Sequence, residues 1–150
     1  MVILTTVVGS SGSEALPLLL TLSSGVTGYT TIHAGSARSA LTRLRFVAQL
    51  SDAARDLPVA ALNNLVSEAV DLVVHTERGP HGPRVTSIIA VEDLSGGPEA
   101  VQFTTTELFS RVRDDAELTW TELLPMRAAR QLERHGFDVR ELCGATERTR

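Results

Sequence analysis

The residue with the clearest chemical potential is His33, which follows a short β-forming run and directly precedes a helical pattern. Residues 28–32 (GYTTI) favour the pleat of a half-buried strand, and Ser36 is a good N-cap for the helix indicated by Leu41 and Leu44. In open α/β sheets, ligands bind beyond the carboxyl ends of the strands. His33 therefore lies where such a fold presents a side chain to a ligand, although histidines at such positions are more often structural.

The basic residues exclude one common kind of phosphate site. All fourteen of them are arginines, and the sequence contains no lysine. A P-loop requires G-x-x-x-x-G-K-[ST], because its glycines let backbone N–H groups surround the phosphates while the lysine reaches the β/γ oxygens. These 150 residues contain no such motif, nor a version with arginine in place of the lysine.

Another candidate anion-binding site is the glycine-rich segment near the start of the chain. Residues 2–8 form an apolar β-rich run, residues 9–13 (GSSGS) form a turn, and residues 14–22 indicate a helix. A strand, a glycine-rich turn and a helix N-terminus can bind an anion through free backbone N–H groups. Any tight turn between a strand and a helix has the same pattern. The pattern therefore indicates an ordinary turn more often than an anion-binding site.

Metal binding is not indicated. The sequence places His75, His81 and His135 at spacings that do not match ligand sets, and we interpret them as scattered surface residues. Cys143 is the only cysteine, so no disulfide forms within the chain, which favours a reducing compartment and a cytoplasmic location. We expect no metal site.

Composition indicates an ordinary globular domain. The chain is 43% hydrophobic and 21% charged, and its formal net charge of −4 favours neither nucleic acid nor an anionic membrane as a partner. The apolar runs at residues 2–8 and 16–22 are shorter than the roughly 20 residues that span a bilayer. The pattern predicts no direct membrane insertion and no nucleic-acid binding.

The later sequence predicts a helical stripe, a hairpin and a helical tail. Residues 36–50 carry Leu41, Leu44, Val47 and Leu50 on one face, which indicates core packing. Strands at 71–77 and 84–91 form an antiparallel hairpin with a long tip, and a third strand is expected near residues 100–105. We divide the chain into residues 1–112 and a tail at 113–150, which consists of an acidic loop and a helix at 125–134.

The stretch from Gly12 to Leu44 resembles the type II/IV secretion ATPase family, most closely its CpaF-type branch, which drives tight-adherence and Flp-type pili. The likeness rests on SEAL at 13–16, TTIHA at 30–34 and SARSALTRL at 36–44. The family has a GGEAL helix followed by a histidine box written roughly TTIHANSPRDALSRLE. Shorter phrases at 56–58, 69–74 and 84–86 continue the likeness to about Phe109.

This resemblance implies an α/β fold: a partial RecA-like P-loop NTPase sheet with flanking helices and a following β-meander. The family's strand order is 5-1-4-3-2, and residues 2–8, 29–32 and 72–75 correspond to its strands 3, 4 and 5. The P-loop strand, strand 1, is missing from between strands 4 and 5. We therefore expect either an open, aggregation-prone edge or direct pairing of strands 4 and 5.

The resemblance also implies functional residues and shows which are absent. His33 corresponds to the histidine of the family's box and is expected to contact a γ-phosphate. Arg38 and Arg43 match family arginines that contact phosphate or a neighbouring subunit, with a solvated helix face as the alternative. The family's Walker B segment, about VVGEVRGGEAL, reads VVGSSGSEAL at residues 7–16 and is one residue shorter. Serines stand where the catalytic glutamate and an arginine are expected.

Two functions follow from the resemblance. The chain is either a C-terminal fragment of a secretion or pilus-assembly motor ATPase that does not hydrolyse ATP alone, or a non-enzymatic subunit that docks on a complete ATPase ring. The family binds ATP and Mg²⁺, although binding by this chain alone is not expected. Implied partners are homo- or hetero-oligomeric secretion ATPase subunits and inner-membrane pilus or secretion platform proteins, which would hold the chain at the inner face of the membrane.

Overall fold

The computed structural model describes residues 2–5, 12–95, 102–113 and 116–142, of which 2–5, 12, 13 and 142 are described by their backbone alone. In chain order the elements are β1 (Val2–Thr5), α1 (Gly12–Ser23), β2 (Gly28–Thr31), α2 (Ala37–Gln49), a one-turn 3-10 helix (Asp52–Ala54), α3 (Val59–Ala69), β3 (Leu72–Gly79), β4 (Gly82–Val91), β5 (Thr105–Ser110), β6 (Thr119–Trp120), α4 (Met126–Arg134) and α5 (Val139–Leu142).

The strands of the described residues form one mixed sheet in the order β2-β1-β3-β4-β5-β6. The first three strands are parallel, and β3 to β6 form an antiparallel meander. Helices flank the sheet, which confirms the α/β class predicted from the sequence. The predicted strand at 2–8 is confirmed for residues 2–5, and residues 6–8 lie outside the described residues.

The position of β1 differs from the sequence-based expectation. Ile3 is in register with Tyr29 of β2 on one side and with Leu72 of β3 on the other. The resemblance matches β1, β2 and β3 to the family's strands 3, 4 and 5, yet β1 lies between β2 and β3, where the resemblance left a gap for the P-loop strand. The predicted gap is therefore filled, and direct pairing of β2 with β3 is wrong.

The hairpin of β3 and β4 is tighter than predicted. Gly79 pairs with Gly82, so only Pro80 and His81 form the connection instead of a long tip. Gly82 has a φ of +119°, a left-handed conformation that favours glycine and lets the chain reverse within two residues. The third strand lies later than predicted: β5 extends from Thr105 to Ser110, residues 102–104 are not part of a strand, and residues 100 and 101 lie outside the described residues.

The main core lies between α1, α2 and α3 and one face of the sheet. Leu19, Leu41, Val66 and Val73 have no exposed surface, and Ile89 and Val91 complete the sheet side of this core. Leu44 is buried and Val47 partly buried, as the stripe on α2 predicted. Leu50, the C-cap residue of α2, is 61% exposed and is therefore not part of the buried stripe.

Polar contacts attach α4 to residues at the end of β4 and at the start of β3. The buried Glu92 accepts hydrogen bonds from the backbone N–H groups of Met126 and Arg127, at 3.0 and 2.8 Å. Arg127 in turn donates to the carbonyl oxygen of Val70 at 2.8 Å and to the Asp71 carboxylate at 2.9 Å. A carboxylate at a helix N-terminus satisfies free N–H groups, so Glu92 fixes where α4 begins.

No helix within the described part of the chain has both the length and the apolar character needed to cross a membrane.

Candidate functional site

His33 lies at the carboxyl end of the parallel strands. The strand β2 ends at Thr31, Ile32 is buried at 2% exposure, and His33 is exposed two residues beyond the strand. The buried isoleucine anchors this connection in the core, so the next side chain is presented at the rim of the sheet. This is the position that the sequence pattern predicted for His33.

The helix that follows is fixed by a reciprocal cap. The Ser36 hydroxyl accepts a hydrogen bond from the Ser39 backbone N–H at 3.1 Å, and the Ser39 hydroxyl accepts one from the Ser36 N–H at 2.9 Å. This capping box sets the first turn of α2, where Arg38 is exposed. Arg43, more than one turn further along the helix, is also exposed.

A polar cleft of about 330 Å³ separates the N-terminus of α2 from strands β3, β4 and β5. Its described lining includes Arg38, His75, Glu77, Glu107 and Arg111, but neither His33 nor Arg43. Of the three residues that the sequence singled out, only Arg38 lines this cleft. Arg38 shares the cleft lining with residues of the meander, such as Glu77 and Glu107.

His75 is the main difference between the predicted and observed chemistry. It is 6% exposed, so its interpretation as a surface residue is wrong, whereas His81 and His135 are exposed as expected. In a strand, residues i and i+2 share a face, and Val73 points into the core. That alternation was the sequence signal by which the burial of His75 could have been found.

The two ring nitrogens of His75 have different surroundings. Nε2 lies 3.3 Å from Oε1 of Glu77, whose side chain is 51% exposed. Nδ1 is buried and has no hydrogen-bond partner among the described residues. A buried polar atom without a partner costs free energy, so this nitrogen needs an explanation.

The charged residues around His75 are held in place by the meander. Arg111 donates from Nε to the carbonyl oxygen of Val85 at 3.1 Å and from Nη1 to that of Ala116. Glu107 accepts a hydrogen bond from the Ser87 hydroxyl at 3.3 Å. The cleft thus places two guanidinium groups, two carboxylates and one imidazole around a single small volume.

A separate polar contact joins α2 to α3. Arg45 donates to the side-chain oxygen of the fully buried Asn63 at 3.1 Å. Asn63 consequently serves packing between two helices.

Among the residues that the structure describes, no group of three or more His, Cys, Asp or Glu side chains is placed to hold a metal ion.

Two partial matches show what kinds of known protein this chain is similar to. Seventy residues of this chain, 47% of its length, are 43% identical to a probable conjugal transfer protein TrbB from Sinorhizobium fredii, of which they cover 20%. The crystal structure of the VirB11 ATPase from the Brucella suis type IV secretion system, in complex with sulphate, matches with a TM-score of 0.47 and 27% identity. That match covers 57% of this chain and 27% of the other. No protein-family model matches the sequence.

The sequence match supports a relationship to the type II/IV secretion ATPase family, but not to a particular branch of that family. The chain spans about a fifth of the curated relative and about a quarter of the solved structure. The CpaF-type, tight-adherence and Flp-pilus assignments stay predictions.

Proposed function

We propose that these 150 residues act as a non-catalytic interaction module of a conjugal-transfer or secretion motor and do not hydrolyse ATP by themselves. The relationship to TrbB supports the setting. The sequence supports the lack of hydrolysis, because it contains no P-loop lysine and has serines at Ser10 and Ser11 within its Walker B-like segment. The CpaF-type pilus setting is the narrower form of the same proposal.

The observation that carries the proposal is the position of β1. It pairs with β2 and with β3 at the same time, so both of its edges are used. A P-loop strand supplied by another chain could enter between β2 and β3 only by displacing β1 from two neighbours. Docking on the outside of the sheet needs no such displacement, and we therefore favour it.

The outer edge of β2 is the proposed docking edge. Within the described sheet β2 is terminal, and Tyr29 at its centre is 84% exposed. A terminal strand offers backbone N–H and C=O groups to a strand of another chain. Docking there would bring His33, which lies two residues beyond β2, close to a neighbouring ATPase subunit and its nucleotide.

Two measurements on the purified chain test this proposal. We expect no ATP turnover with Mg²⁺ and co-elution with a full-length TrbB-type ATPase. Tyr29→Lys places a charge at the docking edge and should weaken that association at least about tenfold. Val112→Lys is the matched control, because Val112 is 83% exposed and lies beyond β5, away from β2. Intrinsic turnover that is lost in His33→Ala, or equal association of both lysine variants, would contradict the proposal.

A split motor is the second candidate, and the exposed positions of His33, Arg38 and Arg43 favour it. In that case a separate chain carrying G-x-x-x-x-G-K-[ST] restores turnover when it is mixed with this chain. Turnover that requires His33 in the mixture would establish the split motor and displace the docking proposal. Cytoplasmic location and contact with inner-membrane platform proteins belong to both candidates.

A further inference from the structure

A hollow of about 600 Å³ lies beneath α4, between this helix and the sheet. Leu72, Ala90 and Leu108 line it from β3, β4 and β5, and Ala128 and Leu132 line it from α4. Protein interiors are close-packed, and few of their voids exceed the size of a water molecule. A space of this volume falls instead within the range of roughly 300 to 1,000 Å³ that is typical of small-molecule sites.

A second hollow of about 390 Å³ adjoins the first, because Leu108, Pro125 and Leu132 line both. The rest of its described lining is also apolar and includes Trp120 and Leu123, which are 37% and 52% exposed. Apolar surface of this kind gains free energy when a ligand removes it from water. The two hollows therefore fit a long apolar chain better than a polar ligand.

Polar groups line the first hollow at the C-terminal end of α4. Gln131, Arg134 and His135 are all exposed, so the hollow reaches solvent at this end. Asp71 is the only carboxylate in the described lining, and Arg127 already binds it at 2.9 Å. Within the described part of the chain, no ion pair or side-chain hydrogen bond holds the Arg134 guanidinium. An unpaired guanidinium beside an apolar space favours a ligand with an anionic head group.

The dimensions of the first hollow argue against a helix of another protein as its occupant. An α-helix is about 10 Å wide and rises about 5.4 Å per turn, so a hollow of about 600 Å³ holds less than two turns of it. A helix entering beneath α4 would also separate α4 from Glu92 and Asp71, whose contacts fix its position. An extended acyl chain is much narrower and requires no such displacement.

We propose that the two hollows beneath α4 bind a free carboxylic acid with a medium-length apolar chain. The chain packs against Leu108 and Leu132, and the carboxylate accepts hydrogen bonds from Arg134 at the solvent end. The site does not depend on the proposed docking function, because it uses residues of the meander and α4 and not the edge of β2.

Calorimetric titration of the full chain with sodium decanoate, kept below the concentration at which it forms micelles, tests the proposal. We expect saturable binding at one site with a dissociation constant below about 1 mM. Hexanoate should bind at least about tenfold more weakly, because each buried methylene contributes roughly a factor of four to the affinity. Decyltrimethylammonium has the same chain with the opposite charge and should bind about threefold more weakly or less tightly still.

A first variant tests the apolar part of the site. Ala128→Phe fills the first hollow from the α4 side and should lower decanoate affinity at least about tenfold. Glu133→Phe is the matched control, because Glu133 lies on the same helix, is exposed and lines neither hollow. Circular dichroism verifies that both variants are folded.

A second variant tests the head group without changing the apolar lining. Arg134→Gln should lower decanoate affinity about threefold or more and leave the affinity for uncharged decanol unchanged. Arg130→Gln is its control, because Arg130 lies on the same helix and lines neither hollow. Since Arg134 is exposed, this pair tests the site even if Ala128→Phe does not fold.

Three results would overturn the proposal. These are no saturable binding of decanoate by about 5 mM, equal decanoate affinity of Ala128→Phe and Glu133→Phe, or binding of decyltrimethylammonium as tight as that of decanoate. Flotation of the chain with phosphatidylglycerol vesicles, in the absence of decanoate binding, would assign the apolar surface to a membrane instead. Tyr29→Lys should leave decanoate binding intact, so failure of the docking proposal is distinguishable from failure of this one.

Discussion

The helices of the parallel half and the helix α4 of the antiparallel half are attached by different forces. In the parallel half, α1 to α3 cover the sheet with fully buried side chains such as Leu19, Leu41 and Val66. In the antiparallel half, no residue of α4 is fully buried, and the helix is attached through Glu92 and Arg127. The contrast teaches that apolar burial holds α1 to α3 on the sheet, whereas a few polar contacts determine where α4 is attached.

The largest effect is expected from emptying the apolar core. Leu41→Ala should lower the free energy of unfolding by about 2 to 5 kcal/mol, because Leu41 is completely buried and the substitution leaves a cavity. Phe46→Ala on the same helix is the control, since Phe46 is 59% exposed. Denaturant titration measures both variants, and equal losses would contradict the apolar basis of this half.

The next largest loss of unfolding free energy is expected when the polar contacts of α4 are removed. Arg127→Ala removes bonds to the Val70 carbonyl and the Asp71 carboxylate and should cost about 2 to 3 kcal/mol. Hydrogen exchange should become faster in α4 while the amides of α2 stay protected. Arg130→Ala is the matched control, because the Arg130–Asp93 pair is more than half exposed and is worth about 0.5 kcal/mol or less. Equal exchange in both variants would argue against polar attachment.

A smaller effect is expected at the start of α2. Ser36→Ala removes the side-chain half of the capping box and should cost about 1 kcal/mol. Thr42→Ala in the exposed middle of the helix is the comparison. If chemical denaturation gives the same midpoint for Ser36→Ala as for the wild type, the cap does not stabilise the parallel half.

The smallest change in the free energy of unfolding is expected from removing an exposed ion pair. Arg55 and Asp52 form an ion pair, but their side chains are 73% and 91% exposed. Arg55→Ala should therefore change the free energy of unfolding by no more than about 0.5 kcal/mol, and added salt should reduce even that. A loss as large as that of Arg127→Ala would remove the distinction between buried and exposed polar contacts.

The sequence predicted most elements of the helical half, because local signals determine them. The apolar spacing of Leu41 and Leu44 and the cap at Ser36 were sufficient to place α2. Strand order was not predictable in the same way. The position of β1 depends on pairing with residues about 70 positions away, and no local pattern records that choice.

The candidate site was predicted only in part for the same reason. The rim position of His33 follows from a strand that leads into a helix, and the structure places it there. The cleft partners of Arg38 come from β3, β4 and β5, so only tertiary folding brings them to α2. Glu92 likewise caps a helix more than thirty residues further along the chain, beyond the reach of motif reasoning.

The two-residue connection at Pro80 and His81 has a consequence for the order of assembly. Since β3 and β4 are adjacent in the chain, they can pair within microseconds, before contacts between distant segments have formed. The strand β1 is synthesised earlier, yet it gains its second neighbour only after β3 has emerged. During synthesis, one edge of β1 therefore stays unpaired until β3 has emerged, although β2 can already cover the other edge.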